Sequence, residues 1–229
     1  MVRTSFLLLP SPLLPAAAYA DLAGALGRLG ESARVAAVEV GPDLDPRAVV
    51  EQWAASVEPG ATLVAHSNAG YLVPATRAAA GAAGRQAGGV VFVDAALPPR
   101  SGPAPLAPPR FREHLAGLAD ADGLLPPWTR WWPREVLDEV LPAERFEALD
   151  RDCPRVPLRY LDTALTPPPG WVAEPSAYLA FGATYADELA AARGWGWPHR
   201  AIPGGHLHLL VDPAAVAREV VALREQLPG

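Results

Sequence analysis

Short apolar runs alternate with longer helical patterns along much of this chain, and this alternation restricts the possible fold more than any other feature. Apolar strands separated by helices are typical of a parallel sheet that is covered on both faces. We therefore predict an α/β fold with a mostly parallel sheet of about six strands. The predicted strands are Thr4–Leu9, Val35–Val40, Thr62–His66, Gly89–Asp94, Ala177–Gly182 and Pro198–Ile202. The predicted helices are Ala18–Leu29, Pro46–Val57, Ala69–Ala80, Thr184–Arg193 and Pro213–Leu227.

Two of these helices carry the same start signal. Asp45-Pro46 and Asp212-Pro213 each place an N-cap acceptor directly before a proline at the first helical position. The local signals therefore agree with the larger pattern.

The alternation stops between Leu97 and Pro175, where prolines and tryptophans are frequent and no strand pattern is visible. At 229 residues and 50% hydrophobic content, the chain is expected to form one domain over 1–229. We interpret residues 98–175 as an inserted helical cap. Its predicted short helices are Phe111–Leu118, Pro133–Leu141 and Ala143–Leu149. Trp128, Trp131 and Trp132 fall within it and are expected to line an apolar substrate pocket, with ordinary packing onto the sheet as the alternative.

Composition and charge favour a small-molecule partner. The net charge is -6, the pI is about 5.4, and the arginines form no dense cluster, which argues against nucleic-acid binding.

No apolar run reaches the ~20 residues of a membrane span. The single Cys153 forms no internal disulfide and no Cys-rich metal framework. All 19 basic residues are arginine, a bias typical of GC-rich bacterial genomes. The oligomeric state does not follow from the sequence.

The N-terminus has a second possible interpretation. Met1–Arg3, the apolar stretch Phe6–Leu14 and Ala18-Tyr19-Ala20 superficially match a signal peptide with its cleavage site. Three prolines interrupt the apolar stretch, and the same residues serve as the first strand and its loop. We therefore expect a cytoplasmic protein.

Ser67 is the strongest candidate for a catalytic residue. It follows the apolar run Ala61–Val64 in the segment Ala65-His66-Ser67-Asn68-Ala69-Gly70, where a predicted strand turns into a helix. Such a turn exposes a serine hydroxyl at the top of a sheet, as in a nucleophile elbow. Alanines occupy the flanking positions where the G-x-S-x-G pattern has glycines. Acyl transfer through Ser67 is therefore the first hypothesis.

A serine nucleophile needs a base, and His206 is the best candidate among the five histidines. Gly204-Gly205 precede it, after the last predicted strand, so that a loop can project its imidazole over the sheet edge. Gly205, His206 and Pro213 resemble the G-H-x-x-x-x-x-x-P segment of α/β-hydrolase-fold enzymes, and the elbow strengthens this resemblance over essentially the whole chain. We prefer His206 to His208, which occupies a position that packs or lines the pocket in that superfamily.

The resemblance implies an acid at one of two positions. Asp94 ends a predicted strand, and its separation from Ser67 resembles that in polyketide-synthase thioesterases. The other position follows the next strand and offers Asp187 or Glu188, although the common spacing falls near Tyr185. We assign the acid to Asp94 and keep Asp187 and Glu188 as alternatives. A strand-end carboxylate that caps a neighbouring turn is the competing structural role for Asp94.

The resemblance also implies an oxyanion hole formed by two backbone N–H groups. Asn68, directly after the nucleophile, supplies one. The loop Pro10–Leu14 supplies the other, and because proline has no N–H we assign it to Leu13 rather than Ser11. This loop lacks the His-Gly that many members carry, and the chain starts directly at the strand before it. It resembles a minimal version of the fold.

These residues predict a serine hydrolase or acyltransferase, of thioesterase or esterase type, that acts on an ester or thioester of a hydrophobic small molecule. Ser67, His206 and Asp94 form the triad, and no metal or organic cofactor is implied. The alternative is a lyase or cyclase of bacterial secondary metabolism that uses the same fold, since fold does not determine reaction. A third hypothesis is a non-catalytic binding protein.

Overall fold

A six-stranded sheet forms the centre of the computed structural model, which describes residues 5–138 and 140–228. In chain order the strands of the described residues are β1 (Ser5–Leu9), β2 (Ser32–Val35), β3 (Thr62–Ser67), β4 (Gly89–Ala95), β5 (Ala104–Pro105), β6 (Ala164–Leu165), β7 (Ser176–Phe181) and β8 (His199–Ile202). The large sheet has the order β2-β1-β3-β4-β7-β8, and every neighbouring pair is parallel. The predicted α/β class and the six-stranded parallel sheet are confirmed.

The three central strands explain why the apolar runs were informative. β3, β4 and β7 are buried at every residue, as expected for strands covered on both faces. Thr4, where the first strand was predicted to begin, and Met1–Arg3 of the possible signal peptide lie outside the described residues.

The second strand lies earlier than predicted. Ser5 pairs with Ser32 and Leu8 with Val35, so that the strand covers Ser32–Val35 rather than Val35–Val40. β2 is an edge strand with partly exposed residues, and it therefore lacks the continuous apolar pattern of the centre. The apolar residues after it pack against the core from a loop that begins with a hydrogen bond from the Ala36 N–H to the Leu8 carbonyl.

The helices of the described chain are α1 (Ala20–Arg28), α2 (Pro46–Ser56), α3 (Val73–Ala82), α4 (Pro109–Ala116), α5 (Arg134–Asp138), α6 (Ala143–Asp152), α7 (Leu158–Asp162), α8 (Ala186–Gly194), α9 (His208–Val211) and α10 (Pro213–Arg224). α1 contacts α10, and α2 contacts α3. Right-handed crossovers place α1 on one face of the sheet and α2, α3 and α8 on the other, and α10 lies beside α1. The helices therefore cover both faces, as predicted.

Both predicted N-caps are present. The Asp45 carboxylate accepts a hydrogen bond from the Arg47 N–H, and the Asp212 carboxylate accepts one from the Ala215 N–H, each at 2.8 Å. α3 begins at Val73 rather than at Ala69, because residues Asn68–Leu72 form a tighter 3₁₀ turn directly after Ser67. No helix of the described residues is long and apolar enough to cross a membrane.

The segment between β4 and β7 contains α4 to α7, of which α7 was not predicted. It also contains the antiparallel pair of β5 and β6, which sequence reasoning missed because two-residue strands leave no periodic pattern. Glu139, inside the predicted helix Pro133–Leu141, lies outside the described residues. The division into one domain with a cap over residues 98–175 stays a prediction.

The direction of the chain reverses beside β1. From β1 it passes to β2 on one side and then crosses back to β3 on the other side. The loops that leave β1 and β3 therefore diverge and open a crevice at the carboxyl ends of the strands, where open α/β sheets bind ligands. Leu13 lies in the first of these loops, and Ser67 begins the second.

Candidate active site

Ser67 ends β3 in a strained backbone conformation. Its φ is 59° and its ψ is -131°, although only glycine adopts positive φ values without steric cost. The turn that follows directs the chain away from the sheet, and Ser67 is 4% exposed at the edge of a cavity. This is the strained strand-to-helix geometry expected of a nucleophile elbow.

Gly70 is the glycine that this elbow requires. A Cβ atom at Gly70 would lie 1.9 Å from the Ala96 carbonyl oxygen, which is closer than any nonbonded contact permits. Ala65 and Ala69, at the positions where the G-x-S-x-G pattern has glycines, are fully buried with their methyl groups accommodated. The requirement for a close backbone approach therefore falls one residue later than the pattern predicts, and sequence reasoning did not identify Gly70.

His206 lies between β8 and α9, with its Nε2 atom 3.0 Å from the Ser67 Oγ. The loop has no space for a side chain at either of the two glycines before His206. A Cβ atom at Gly204 would lie 2.6 Å from the His208 ring, and one at Gly205 would lie 2.3 Å from a Val140 methyl group. His208 itself packs edge-on against Phe181.

Asp94 contacts the other side of the His206 imidazole. One carboxylate oxygen, Oδ2, lies 2.7 Å from the His206 Nδ1, and the other accepts a hydrogen bond from the Phe181 N–H at 2.8 Å. In β4, His66 pairs with Val93 and Ser67 with Ala95, so Asp94 is an extra residue at a bulge. Its φ is 42°, and its side chain is fully buried. The bulge directs the carboxylate toward the histidine loop.

These contacts assign the protons of His206. A carboxylate accepts, so the Nδ1 atom donates to Asp94, and in the neutral ring the Nε2 atom then accepts from the Ser67 hydroxyl. The hydroxyl, the imidazole and the carboxylate thus form one continuous hydrogen-bonded chain. This arrangement can remove the serine proton as the oxygen attacks an electrophile.

Asp187 and Glu188, the alternative acids, lie in the first turn of α8 and line the cavity. Burial raises the pKa of Glu188, and the nearby Asp187 and Asp94 carboxylates raise it further. Tyr185 precedes them, and its ring lies 5.4 Å from the His206 ring. Burial raises the pKa of the Tyr185 phenol, which keeps it protonated, while the neighbouring Ser67 side chain acts in the opposite direction. Sequence reasoning had not identified Tyr185 as a site residue.

The hydrogen bonds of the loop after β1 distinguish the two candidates for the second oxyanion donor. The Leu13 N–H makes only a long contact, 3.4 Å, with the Ser11 Oγ, whereas the Ser11 N–H donates to the Tyr19 hydroxyl at 2.9 Å. The Ser11 N–H is therefore occupied, and Leu13 remains the better candidate for the donor. Asn68 and Leu13 both line the cavity beside Ser67.

The side chain of Asn68 connects the elbow to the inserted segment. Its Nδ2 donates to the Leu106 carbonyl at 2.7 Å, and its Oδ1 accepts from the Tyr160 hydroxyl at 2.8 Å. Tyr160 is fully buried in α7, and burial raises the pKa of its phenol. The residue after the nucleophile is thus held from both sides of its amide group.

A cavity of about 350 Å³ opens beside Ser67. Its apolar wall comes mainly from the inserted segment, and Trp132 stacks on Phe111 with ring centroids 5.5 Å apart. Trp128 lies 6.1 Å from the His206 ring. The apolar wall is formed by Leu106, Pro108, Phe111, Trp128, Trp131 and Trp132. The cavity is also lined by Tyr71, Thr184, Tyr185, Asp187 and Glu188. The three tryptophans predicted to line a pocket therefore adjoin the same cavity as Ser67.

Within the described chain, no three His, Cys, Asp or Glu side chains are grouped so that they could hold a metal ion. Cys153 is buried, and its thiol contacts the Leu13 carbonyl at 3.6 Å. Burial raises the pKa of this thiol to about 11, so that it stays protonated at neutral pH.

Comparison with known protein families found no match, and none was found among curated proteins. Solved structures are similar over nearly the whole chain. An extracellular alpha/beta-hydrolase from a Paenibacillus species, described as sharing structural and functional homology with tobacco salicylic acid binding protein 2, has a TM-score of 0.76 at 14% identity. The match covers 96% of this chain and 98% of that one.

Two further structures illustrate the range of similar proteins. A pyrethroid hydrolase from Sphingobium faniae JZ-2 has a TM-score of 0.69 at 17% identity, with 98% of each chain covered. A histidine-to-alanine variant of tomato methylketone synthase I, in complex with beta-ketoheptanoate, has a TM-score of 0.68 at 10% identity, with 97% of each chain covered. At these identities the similarity extends to the fold alone.

Proposed function

The chain has the α/β-hydrolase fold, and from this premise we propose that it is a serine hydrolase or acyltransferase acting on an ester or thioester of a hydrophobic small molecule. The observation that carries the proposal is the hydrogen-bonded chain of Ser67, His206 and Asp94, with separations of 3.0 and 2.7 Å. Ser67 and Asp94 lie at the carboxyl ends of β3 and β4, His206 lies in the loop after β8, and the three residues meet beside a cavity.

In the proposed reaction the Ser67 Oγ attacks the acyl carbonyl carbon while the His206 Nε2 takes its proton. The N–H groups of Asn68 and Leu13 donate to the oxyanion that develops on the carbonyl oxygen. When the intermediate collapses, the bond to the leaving group breaks, and His206 gives its proton to the departing alcohol or thiol. Water or an acceptor alcohol then attacks the acyl-enzyme by the same route, and Asp94 stabilises the imidazolium in both steps.

The cavity favours an apolar group that carries no negative charge. Tryptophan and phenylalanine rings form one wall, and they contribute large apolar contact areas to a bound ring or acyl chain. Among the described residues that line the cavity there are two carboxylates and no arginine. An uncharged hydrophobic ester therefore suits the pocket better than an anionic one.

The names of similar structures support ester chemistry and also an alternative. They include a polyneuridine aldehyde esterase and a pyrethroid hydrolase, but also methylketone synthase I. The alternative, a lyase or cyclase, is favoured specifically by Tyr185 and Glu188. These two titratable groups adjoin the cavity and have no part in the hydrolytic scheme above. In the alternative they would move protons to or from a bound substrate.

A panel of chromogenic esters with uncharged acyl chains of increasing length tests the proposal. We expect turnover to rise with apolar chain length and to fall by several orders of magnitude in Ser67→Ala. Asp94→Asn should lower kcat by about 10⁴-fold if Asp94 orients His206. The matched change Asp187→Asn should leave turnover within a fewfold of the native rate.

The outcomes separate the hypotheses. Turnover retained in Ser67→Ala would rule out the nucleophilic serine. A near-normal rate in Asp94→Asn with a large loss in Asp187→Asn or Glu188→Gln would move the acid to α8. A ligand that binds without conversion by the native protein would favour the non-catalytic alternative.

A further inference from the structure

Tyr19 and His66 lie buried between the loop of the proposed oxyanion donor and the loop of the proposed base. The Ser11 N–H donates to the Tyr19 hydroxyl at 2.9 Å, and this hydroxyl lies 2.9 Å from the His66 Nδ1. On the opposite side of the ring, the His66 Nε2 lies 3.1 Å from the His206 carbonyl oxygen. We propose that Tyr19 and His66 are positioning residues that couple the two loops through this chain of hydrogen bonds. The proposal rests on the proposed function.

The donor and the acceptor of each hydrogen bond in this series can be assigned, starting from the His206 carbonyl. The His206 carbonyl can only accept, so the His66 Nε2 carries the proton and donates. Burial lowers the pKa of His66 well below its usual value, so the ring is neutral and its Nδ1 accepts from the Tyr19 hydroxyl. The Tyr19 oxygen in turn accepts from the Ser11 N–H. Each group therefore has one orientation, and none is free to rotate into a competing pattern.

His66 also contacts the ring of the base directly. The two imidazoles stack with centroids 4.7 Å apart and an angle of 21° between their planes. His66 therefore contacts His206 twice, through a hydrogen bond to its backbone carbonyl and through stacking on its imidazole. Because Ser11, Tyr19 and His66 are at most 2% exposed, water does not replace a lost partner readily.

At its other end, this series of hydrogen bonds positions the turn that contains Leu13. A turn joins Ser11 to Leu14, with a hydrogen bond from the Leu14 N–H to the Ser11 carbonyl at 3.0 Å, and Leu13 lies inside this turn. Fixing the Ser11 N–H on Tyr19 therefore fixes where the Leu13 N–H lies. Loss of the chain should misplace the oxyanion donor and the base together, and transition-state stabilisation should suffer more than substrate binding.

The test uses Tyr19→Phe, His66→Phe and the double variant in the intact chain. Each single change should lower kcat by about 10- to 100-fold while KM stays within about threefold. Binding of a trifluoromethyl ketone transition-state analogue should weaken in parallel with kcat/KM. Because both residues belong to one chain, the double variant should lose little more than either single variant.

Trp53→Phe is the matched control for stability. It also removes a hydrogen bond of a buried aromatic side chain, from the Trp53 Nε1 to the Ala37 carbonyl at 3.1 Å, but at a distance from the site. It should lower the unfolding midpoint without changing kcat. Normal kcat in a folded Tyr19→Phe or His66→Phe variant, or fully multiplicative losses in the double variant, would overturn the coupling.

A second measurement separates this proposal from the proposed function, because it needs no substrate. The His206 Nδ1–H proton, held by Asp94, should give a low-field proton NMR resonance in the native protein. Tyr19→Phe should shift or broaden this resonance, and Trp53→Phe should not. If the native protein hydrolyses no ester, the proposed function fails while this effect can still be observed. An unchanged resonance in Tyr19→Phe would contradict the coupling even in an active esterase.

Discussion

Ser67 and Asp94 are the non-glycine residues with positive φ within residues 5–138 and 140–228, and both belong to the proposed triad. Strained backbone conformations concentrate at functional sites because the surrounding structure must hold them in place. Here the strain turns a serine out of one strand and a carboxylate out of its neighbour, so that both reach the same imidazole. Strained backbone and hydrogen bonds to His206 thus occur at the same two residues, which is consistent with an active site.

The acid assignment shows what a single residue's position can and cannot reveal. The sequence favours Asp94 as the acid because it ends a strand, and the carboxyl ends of parallel strands form the ligand-binding edge. The bulge that directs its carboxylate toward His206 leaves no mark in the sequence, since it depends on the pairing of β3 with β4. For the same reason the sequence leaves Asp187 and Glu188 as alternatives, and both line the cavity.

His66 predicts how stability depends on pH. Its pKa is lowered in the folded protein, so below about pH 6.5 the unfolded state binds a proton that the folded state does not. The unfolding free energy should therefore fall as the pH decreases from 7 to 5, with a slope that approaches about 1.4 kcal/mol per pH unit from this residue.

The measurement is chemical denaturation of native protein and His66→Phe across that range. The variant should have a lower unfolding free energy than the native protein at pH 7, and its unfolding free energy should change less with pH. The exposed His199, changed to Gln, is the matched control and should keep the native slope. Identical slopes for native protein and His66→Phe would show that His66 is not the neutral group described above.

At the scale of elements, the turn between β3 and α3 is the feature on which the site depends. Gly70 lies against the Ala96 backbone, which follows the bulged end of β4, so this one contact joins the elbow to the strand that carries the acid. A methyl group at Gly70 has no space, because the neighbouring atom is a backbone carbonyl rather than a flexible side chain.

Gly70→Ala should therefore lower the unfolding free energy by about 1–3 kcal/mol or more and should reduce ester turnover by displacing Ser67. The control is Gly27→Ala in α1, where an added Cβ has no neighbour within 4 Å. This change should stabilise the protein by about 0.5–1 kcal/mol, since alanine is favoured over glycine in a helix. A Gly70→Ala protein as stable and active as the native one would contradict the packing described for the elbow.

The elements show where sequence reasoning ends. Buried strands and capped helices were predictable because their patterns are local, as Asp45 and Asp212 illustrate. β2 was placed wrongly because an edge strand need not be apolar throughout, and β5 and β6 were missed because they are too short. Ser67 and His206 were recognisable from motifs, whereas Gly70, Tyr19 and Tyr160 act through tertiary contacts that no local pattern encodes.

At the scale of the whole molecule, the sheet brings distant segments together. The loops after β1, β3, β4 and β8 meet at one edge, and the segment between β4 and β7 supplies the aromatic wall of the cavity. The same arrangement places two carboxylates, Asp187 and Glu188, in the lining of a cavity that also has an aromatic wall. These carboxylates should therefore contribute to the choice of substrate.

We expect esters with a carboxylate on the acyl group to have a lower kcat/KM than uncharged esters of the same size. Repulsion from Glu188 should account for about 1 kcal/mol, or about fivefold in kcat/KM, if water partly screens the two charges. Glu188→Gln should reduce this discrimination, and added salt should reduce it in the native enzyme. Glu147→Gln, the same change on an exposed residue of α6, should not. Equal discrimination in native enzyme and Glu188→Gln would remove Glu188 from substrate selection.

The central claim is that Ser67 is a nucleophile activated by His206. The most direct measurement is peptide mapping by mass spectrometry after treatment with a fluorophosphonate, which reacts with activated serines. We predict a single adduct on Ser67, none in Ser67→Ala, and labelling slowed by orders of magnitude in His206→Asn. No adduct on the folded native protein, or an adduct on another serine that persists in Ser67→Ala, would contradict the claim.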